Sequence, residues 1–466
     1  MKYRGCSARG WLSCRTDPVC GRRRVKRLAN RPYPYSMHGL KALGEWLDRN
    51  SRLTLVGACL FALVLGLWRV HSRPVDMESG QTDNFWPIAN HLLDGEGYSL
   101  CYPLYFPFCA NRDQTPTAMR EPVPVLLFAA AAAISGRSLL FTLHMQLLLL
   151  VGTVLLVFLF TRSLFSQRAG LLAAVAWAIY LPAAGLVDQL SADITGTFFL
   201  LLSACTLLTA QRKKTLTWWI LSGVSLGVAA LSRSAMLLMV LPWCYAAVQA
   251  SGGLRQWRSA TLPVLALGAS MLVVMSPWAL RNKSVFGKAW LGTSMNGYNI
   301  WRMNSQVGTD EPMHYVDSFE ADTMSRRLLA KRTDLTGTEN EAAMDKMYSE
   351  EAMKALKSDP AKYVRLCGYR AILLFTNMDV KQSYGVRLTI GDRIALVQQL
   401  IYVALGFLGM WMLRKRGVVW ILAVAVQVAG YSAMVAQMRY LIPVMPFFLA
   451  FAAWALARRA WREEPA

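Results

Sequence analysis

Long apolar runs constrain the fold of this chain more than any other feature of its sequence. Hydrophobic residues make up 55% of its 466 residues. Several of the runs reach about 17 to 25 residues, a length that crosses a hydrocarbon core of roughly 30 Å as an α-helix. The sequence therefore predicts an all-α polytopic membrane protein.

Ten transmembrane helices are predicted. They cover residues 53–70, 139–161, 169–186, 194–210, 216–232, 235–250, 261–279, 394–413, 417–437 and 441–457. Two further apolar segments are predicted to be interfacial or re-entrant helices on the external face. Pro122–Ser135 is only about 20 Å long as a helix, and residues 364–378 are interrupted by Arg365 and Arg370.

The charge distribution orients the chain and excludes one class of partner. A formal net charge of +22 would suit nucleic-acid binding if the basic residues formed a patch on a soluble domain, but here they cluster in the N-terminal tail and between spans. With both short segments outside the bilayer, these basic groups all fall on the side of the basic N-terminus, as the positive-inside rule requires. Both termini are therefore predicted to be cytoplasmic, with no nucleic-acid partner.

Four regions follow from this topology. Residues 1–52 are predicted to be a basic cytoplasmic tail, within which residues 1–36 are disordered, or an upstream extension if Met37 is the true start. Residues 53–280 are predicted to form a transmembrane module that includes a first external loop at 71–137. Residues 281–392 form a second external, helical loop, and residues 393–466 form the C-terminal transmembrane helices.

The second external loop is predicted to contain about three helices. Thr338-Glu339-Asn340-Glu341 has the spacing of a capping box. The polar helix that it opens should run to about Ser358, where Asp359-Pro360 stops it.

Neither a metal site nor a tightly bound cofactor is predicted. The nine cysteines include no Cys-x-x-Cys pair, and the five histidines have no metal-ligand spacing. Cys101 and Cys109 share the first external loop, where they form either a disulfide in an oxidising compartment or two free thiols.

An acidic residue in the first external loop is the leading candidate for a catalytic group. After Asp83, apolar residues recur at helical spacing, which predicts a short helix lying on the membrane surface and ending at Gly95-Glu96-Gly97. Asp83 then either caps this helix or, if Thr82 caps it, keeps a free carboxylate that could act as a base.

Asp193 and the pair Arg120-Glu121 are further candidates. Asp193 begins a predicted span, at a depth where an unpaired carboxylate is costly, so it is either functional or an acid placed favourably at a helix N-terminus. Arg120-Glu121 opens the short apolar segment, either as a substrate-binding pair or as an interfacial salt bridge.

Basic residues are few on the external face, which makes each of them informative. Arg233 lies in a tight turn between two spans, Arg281 follows Pro277-Trp278, and Arg439-Tyr440 opens the last span. Guanidinium groups at this depth are suited to bind a phosphate with two hydrogen bonds. The alternative is that they extend to lipid headgroups.

Taken together, these motifs resemble those of the C-type glycosyltransferase superfamily. The chain is similar to the dolichyl-phosphate-mannose protein mannosyltransferases and to the bacterial transferase that adds aminoarabinose to lipid A. The matching stretches are Asp83 to Tyr98, Arg120-Glu121-Pro122, Leu231-Ser232-Arg233, Pro277-Trp278-Ala279-Leu280-Arg281-Asn282, Phe286-Gly287, Asn296-Gly297-Tyr298-Asn299 and Arg439-Tyr440-Leu441-Ile442-Pro443.

The resemblance implies a donor substrate, a membrane and a set of roles. The donor would be a sugar on a polyprenyl phosphate, Asp83 would accept the acceptor's proton, and Asp193 would match a second acid. Arg233 and Arg439 would lie near the lipid phosphate. The chain departs from the pattern at Thr82, where the protein mannosyltransferases have a second acid, at Asp193, where many relatives have Glu, and at Ser234, where Pro is common.

The expected function is therefore transfer of a sugar to a glycan, lipid or protein acceptor. Because no soluble sugar-binding domain is appended, the chain looks bacterial, with its active site on the periplasmic face of the inner membrane. The alternative is a transporter or flippase of lipid-linked sugars. Transporters commonly show an internal repeat and helices broken at mid-membrane, and neither stands out in this sequence.

Overall fold

The computed structural model describes residues 37–72, 83–109 and 115–461, and this part of the chain is folded as helices joined by turns. Its one β-type pairing is an isolated antiparallel bridge between Ser99 and Pro116. The predicted tail at residues 1–36 and the alternative cap Thr82 lie outside the described residues.

Nineteen α-helices occur in the described residues. They are α1 (Met37–Arg49), α2 (Ser51–Ser72), α3 (Phe85–Leu93), α4 (Pro122–Ser135), α5 (Leu139–Leu164), α6 (Gln167–Ala178), α7 (Leu181–Ala184), α8 (Ala192–Lys213), α9 (Leu216–Ser232), α10 (Val240–Ala250), α11 (Trp257–Phe286), α12 (Asn296–Asn304), α13 (Ser318–Ala330), α14 (Glu341–Ser358), α15 (Pro360–Thr376), α16 (Met378–Ser383), α17 (Ile390–Met412), α18 (Val418–Met434) and α19 (Met445–Trp461). Two 3₁₀ segments matter for the site, Ser234–Met239 before α10 and Met438–Val444 before α19.

Six of these helical segments are long and apolar enough to cross a membrane: α2, α5, α8, α11, α17 and the combined segment Met438–Trp461. The predicted all-α membrane fold is confirmed. Three of the other predicted spans appear as shorter apolar helices, Leu216–Ser232, Ser234–Ala250 and Val418–Met434.

The predicted span at residues 169–186 is not one continuous helix. Helix α6 ends at Ala178, and the one-turn helix α7 follows it. Pro182 explains the break, because it has no N–H to donate to the carbonyl of Ala178, four residues earlier, and its ring would clash with that carbonyl.

Small residues bring two helices of the membrane body into close contact. Gly223 and Gly227 lie one turn apart on α9 and face α11. A Cβ atom at Gly223 would lie 2.2 Å from the carbonyl oxygen of Leu267, so any larger residue would push the helices apart. This packing through small residues is typical of helix pairs in membranes.

The short apolar segment that follows Arg120-Glu121 forms a helix with the predicted bounds, Pro122–Ser135. This helix packs against α3, where Phe128 meets the edge of Phe85 at a centroid distance of 5.9 Å. Helix α3 itself is present as predicted from the apolar spacing, and it ends at Leu93, just before Gly95.

The second external region has five helices, α12 to α16, rather than the predicted three. Helix α14 ends at Ser358 as predicted, but Asn340 caps its N-terminus and Thr338 does not. Glu341 is therefore not the partner of a capping threonine, and its side chain makes other contacts. Its buried carboxylate accepts hydrogen bonds from Thr117, Ala118 and Ser294, which ties this region to the first external loop.

A buried arginine explains the polar interruption of the second doubtful apolar segment, which forms most of α15. The guanidinium of Arg370 donates to the side chain of Asn304 at 3.0 Å, to the carbonyl of Met303 and to the carbonyls of Ser432 and Ala433. These acceptors lie at the C-terminal ends of α12 and α18, where helix dipoles favour a positive charge. Arg370 therefore joins three helices.

A disulfide closes a short segment of the first external loop. Cys101 and Cys109 are bonded, with their Cα atoms 5.4 Å apart. Of the two alternatives left by the sequence, the structure has the disulfide.

Candidate active site

Asp83 lies just before α3 in an unusual backbone conformation. Both Asp83 (φ 47°) and Asn84 (φ 63°) are left-handed, although neither is glycine. Asn84 occupies the N-cap position of α3, and no side chain makes a capping hydrogen bond there. Asp83 therefore does not cap the helix, and its carboxylate interacts with other groups.

Arg120 holds Asp83 in this conformation through two contacts. Its Nε donates to the Asp83 carbonyl at 2.6 Å, and its Nη2 donates to the Asp83 carboxylate at 2.9 Å. On the other side, Arg439 approaches the second carboxylate oxygen at 3.9 Å. Left-handed non-glycine residues persist where surrounding contacts stabilise them, and they are concentrated at functional sites.

The electrostatic environment of Asp83 favours its charged form. Burial alone would raise the pKa of this carboxyl, but the charges of Arg120, Arg439 and Arg233 outweigh that effect and hold the pKa below its ordinary value of 3.8. Asp83 is therefore ionised at neutral pH.

Asp193 is the second residue of α8, and it is fully buried. Its carboxylate forms an ion pair with Nε of Arg233 at 3.1 Å and accepts a hydrogen bond from the Ser191 hydroxyl at 3.2 Å. Ser191 also caps α8 by accepting from the backbone N–H of Asp193. Asp193 thus lies at a helix N-terminus and also pairs with a predicted site arginine, so its carboxylate is not the unpaired one considered from the sequence.

Tyr440 connects the two ion pairs. Its ring lies 4.6 Å from the guanidinium carbon of Arg233 and 5.4 Å from that of Arg439. It also stacks on Tyr431, at a centroid distance of 4.6 Å. We call Asp83, Arg120, Asp193, Arg233 and Arg439 the charge cluster.

Tyr431 is a site residue that the sequence analysis missed. Its hydroxyl accepts a hydrogen bond from Nε of Arg233 at 3.0 Å. The only sequence signal was a tyrosine near the predicted external end of the span at residues 417–437, a position where aromatic residues are common in any membrane protein.

Glu121 connects the entry of α4 to the turn that carries Arg233. Its carboxylate accepts hydrogen bonds from the backbone N–H and the hydroxyl of Ser234, both at 2.8 Å. Arg120 and Arg233, the neighbours of these two residues, bind Asp83 and Asp193. Two dipeptides therefore hold the starts of α3, α4 and α8 and the end of α9 together. Ser234, which stands where proline is common in the family, supplies both of these hydrogen-bond donors. A proline at this position would supply neither.

Arg281 has a different environment from the charge cluster. Its guanidinium donates to the backbone carbonyls of Thr117 and Tyr98, at 2.7 and 2.9 Å. The ring of Trp278 lies 5.1 Å from its guanidinium carbon. In this structure Arg281 therefore supports the backbone of the first external loop.

The three arginines of the charge cluster differ in how closely they contact a carboxylate. Arg120 and Arg233 each contact a carboxylate closely, whereas Arg439 is 3.9 Å from the nearest one. The Nε of Arg439 is buried and has no hydrogen-bond partner among the described residues. Arg439 is therefore the arginine of the cluster with the most unused capacity to bind an anion.

Residues 116–280 match the family model described as dolichyl-phosphate-mannose-protein mannosyltransferase. The resemblance to the dolichyl-phosphate-mannose protein mannosyltransferases, which the sequence motifs indicated, is confirmed. The matching segment contains Arg120, Asp193 and Arg233, while Asp83 precedes it and Arg439 follows it. No curated protein matches the chain in a sequence comparison.

A solved oligosaccharyltransferase has a similar fold, and a second solved transferase aligns less well. The oligosaccharyltransferase AglB from Archaeoglobus fulgidus, tethered to an acceptor peptide, is 16% identical, with a TM-score of 0.53 over 89% of this chain and 50% of AglB. AglB in complex with an inhibitory peptide and a dolichol-phosphate has the same identity and TM-score, over 88% and 50%. ArnT from Cupriavidus metallidurans bound to undecaprenyl phosphate is 13% identical, with a TM-score of 0.38 over 87% and 77%. The chain spans about half the length of the AglB structures.

Proposed function

We propose that this protein is a membrane glycosyltransferase that moves a sugar from a polyprenyl phosphate to an acceptor hydroxyl. The observation that carries the proposal is the convergence of Asp83, held by Arg120, with Arg439 and Arg233 in one charge cluster. This places a carboxylate that could act as a base beside arginines that could bind phosphate. The matching family model and the fold shared with AglB support the same chemistry.

Asp83 is the proposed general base. As the acceptor oxygen attacks the anomeric carbon, its proton passes to the Asp83 carboxylate and the bond to the phosphate oxygen breaks, which inverts the configuration at that carbon. A carboxylate with a lowered pKa is a weak base. It becomes effective late in the reaction, when the forming C–O bond has made the hydroxyl proton acidic. Arg120 keeps the carboxylate in place and charged.

Arg439 is the proposed phosphate ligand, and Arg233 supports it. The leaving polyprenyl phosphate gains negative charge as the bond breaks, and guanidinium groups stabilise that charge most where they are already in position. The long distance of 3.9 Å between Arg439 and its nearest carboxylate and the unpartnered Nε of Arg439 favour this role. AglB, which shares the fold, has been determined with dolichol-phosphate, a lipid of this class.

The remaining predicted site residues are proposed to position these groups. Asp193 fixes Arg233, Glu121 fixes the turn at Ser234, and Tyr440 keeps the two phosphate-binding arginines at a defined separation. Arg281 supports the first external loop. We propose no tightly bound cofactor, and we place the protein in a bacterial inner membrane with the cluster facing the periplasm.

The test is transfer of radiolabelled sugar from a panel of polyprenyl-phosphate sugars to extractable membrane acceptors by the purified protein in lipid nanodiscs. Asp83→Asn should lower turnover by roughly 10² to 10⁴-fold, because general-base assistance typically contributes that much. Asp94→Asn is the matched control, since Asp94 pairs with Arg137 on the exposed surface of the same loop.

Two results would reject the assignment. Near-normal turnover by Asp83→Asn would exclude Asp83 as the base. Movement of the labelled lipid across the bilayer without transfer to any acceptor would indicate a flippase or transporter instead.

A further inference from the structure

Arg302 is a buried arginine of the second external region without a carboxylate partner. It lies on α12 and is 6% exposed. Its Nε and Nη2 both donate to the carbonyl of Val316, and Nη2 also donates to the Tyr384 hydroxyl at 3.2 Å. No acidic side chain in the described part of the chain forms an ion pair with it. Burying an unpaired charge is expensive, so such a group calls for an explanation.

Arg370 shows how the same fold stabilises a buried arginine that has a purely structural role. It too has no carboxylate partner, but its acceptors lie at the C-terminal ends of α12 and α18, where the helix dipoles offset its charge. Arg302 lies in the last turn of α12, so the dipole of its own helix offsets part of its charge, but its carbonyl acceptor Val316 lies just before the N-terminus of α13 and not at the C-terminal end of a second helix. Its Nη1 makes no hydrogen bond to the described residues, yet it is not among the fully buried atoms that lack a partner. Nη1 therefore remains accessible.

Two sets of contacts connect Arg302 to the charge cluster. Tyr298 lies one turn before Arg302 on the same face of α12, and its ring is 4.9 Å from that of Tyr105 in the first external loop. The charges of Arg120, Asp83 and Arg302 all act on the Tyr105 hydroxyl, whose pKa is raised mainly by burial. Tyr105 therefore joins the first external loop to the helix that carries Arg302.

The second connection runs through Tyr315. The guanidinium carbon of Arg302 lies 5.8 Å from the Tyr315 ring, and Gln437 donates a hydrogen bond to the Tyr315 hydroxyl at 2.8 Å. Gln437 is only two residues before Arg439. Arg302 is thus connected to the Arg439 side of the cluster through Tyr315 and Gln437, and its helix contacts the first external loop, which carries Asp83, through Tyr298 and Tyr105.

We propose that Arg302 binds an acidic group, a carboxylate or phosphate, carried by one of the two substrates at a position separate from the lipid phosphate. The Nη1 of Arg302 and the hydroxyl of Tyr384, a residue that is 39% exposed, would be its hydrogen-bond donors. This inference rests on the proposed transferase function and narrows its substrate class. A sugar acid on the donor and a phosphate on the acceptor are the two sources of such a group.

Binding of small probes to the full-length protein in nanodiscs tests the inference without requiring transfer. The probes are glucuronate, inorganic phosphate and uncharged glucose at matched ionic strength, and the readout is the dissociation constant from calorimetry. Arg302→Gln should weaken binding of an anion by roughly ten- to hundred-fold, since hydrogen bonds to charged groups contribute that much. Arg137→Gln is the surface control.

The probe that loses affinity identifies the source. A loss for glucuronate indicates a sugar acid on the donor, and a loss for inorganic phosphate alone indicates a phosphorylated acceptor. Equal anion binding by the wild type and Arg302→Gln would overturn the inference. If Arg302→Gln fails to fold, Arg302→Lys keeps the charge and a donor for Val316 but lacks the fork of two N–H groups. Wild-type affinity in that variant would also overturn it.

Undecaprenyl phosphate binding, measured on the same proteins, separates this inference from the proposed function. We expect Arg439→Gln to lose affinity for the lipid and Arg302→Gln to keep it. Absence of lipid binding by the wild type would count against the transferase proposal, while the result for the small anions would still decide the role of Arg302.

Discussion

The two aspartates of the charge cluster differ in how tightly the protein holds them. Asp193 is fully buried, pairs with Arg233 at 3.1 Å and accepts a hydrogen bond from Ser191. The side chain of Asp83 is 31% exposed, and although Arg120 binds one of its oxygens, the other lies 3.9 Å from Arg439. Asp83 also adopts a left-handed backbone conformation, whereas Asp193 lies in a regular helix.

This difference separates two kinds of ion pair. The carboxylate of Asp193 is enclosed by protein groups and cannot reach a substrate without breaking a buried pair. Asp83 has one oxygen with a loose contact and access to solvent, which is the arrangement that a base needs. We infer that the Asp193 pair maintains the shape of the site and that the Asp83 pair is available for chemistry.

The largest expected effect that distinguishes the two pairs is on stability. Asp193→Asn should destabilise the protein by about 3 to 5 kcal/mol, because it leaves Arg233 without its buried partner. Asp83→Asn should change stability by at most about 1 kcal/mol, since partly exposed pairs contribute little. Urea unfolding of both variants in detergent micelles measures this contrast. Equal losses of stability in the two variants would show that both ion pairs stabilise the fold to the same extent.

A second, smaller effect concerns the link between the two pairs. Ser234→Ala removes one of the two hydrogen bonds to the Glu121 carboxylate, and we expect it to lower stability by about 1.5 to 3 kcal/mol. Ser234→Pro removes both hydrogen-bond donors and should lower stability further. Ser276→Ala is the control, because the Ser276 hydroxyl is exposed and bonds only within its own helix. If Ser234→Ala matched this control, Glu121 would not depend on Ser234.

The smallest effect is a pH dependence specific to Asp83. Because its pKa is lower in the folded protein than the ordinary value of 3.8, the charged carboxylate stabilises the fold above that value. This contribution is lost as the pH falls through the folded pKa. The stability difference between wild type and Asp83→Asn should therefore be constant near neutral pH, begin to shrink near pH 3.8, and disappear only below the lower folded pKa. Unfolding measured from pH 7 to pH 3 tests this, and a difference that grows toward acid would contradict the ion pair.

Local patterns predicted the helices of this site well. The apolar spacing after Asp83 and the length of Pro122–Ser135 were sufficient for both short helices. Each depends on residues close in sequence. The same reasoning was wrong where two local signals competed. Thr338 had the right spacing for a capping box, but Asn340 caps α14, and Glu341 instead accepts hydrogen bonds from Thr117 and Ser294.

The site residues also divide into those that the sequence indicated and those that only the tertiary structure shows. Arg233 and Arg439 stood out because arginines are rare in external turns of membrane proteins. Tyr431 and Arg302 did not, because tyrosines are common near membrane interfaces and an arginine in a polar loop is unremarkable until it is buried. Only the packing of α12 and α18 against other helices shows what these two residues contact.

Hydrophobicity and charge along the chain were enough to establish an all-α membrane fold and to select most of the cluster, because the bilayer imposes its requirements on each segment separately. Which arginine meets which carboxylate was decided by tertiary structure alone. Asp83 and Arg439 are separated by more than three hundred residues in sequence, and no local rule relates them. Their separation of 3.9 Å depends on how tightly the intervening helices pack.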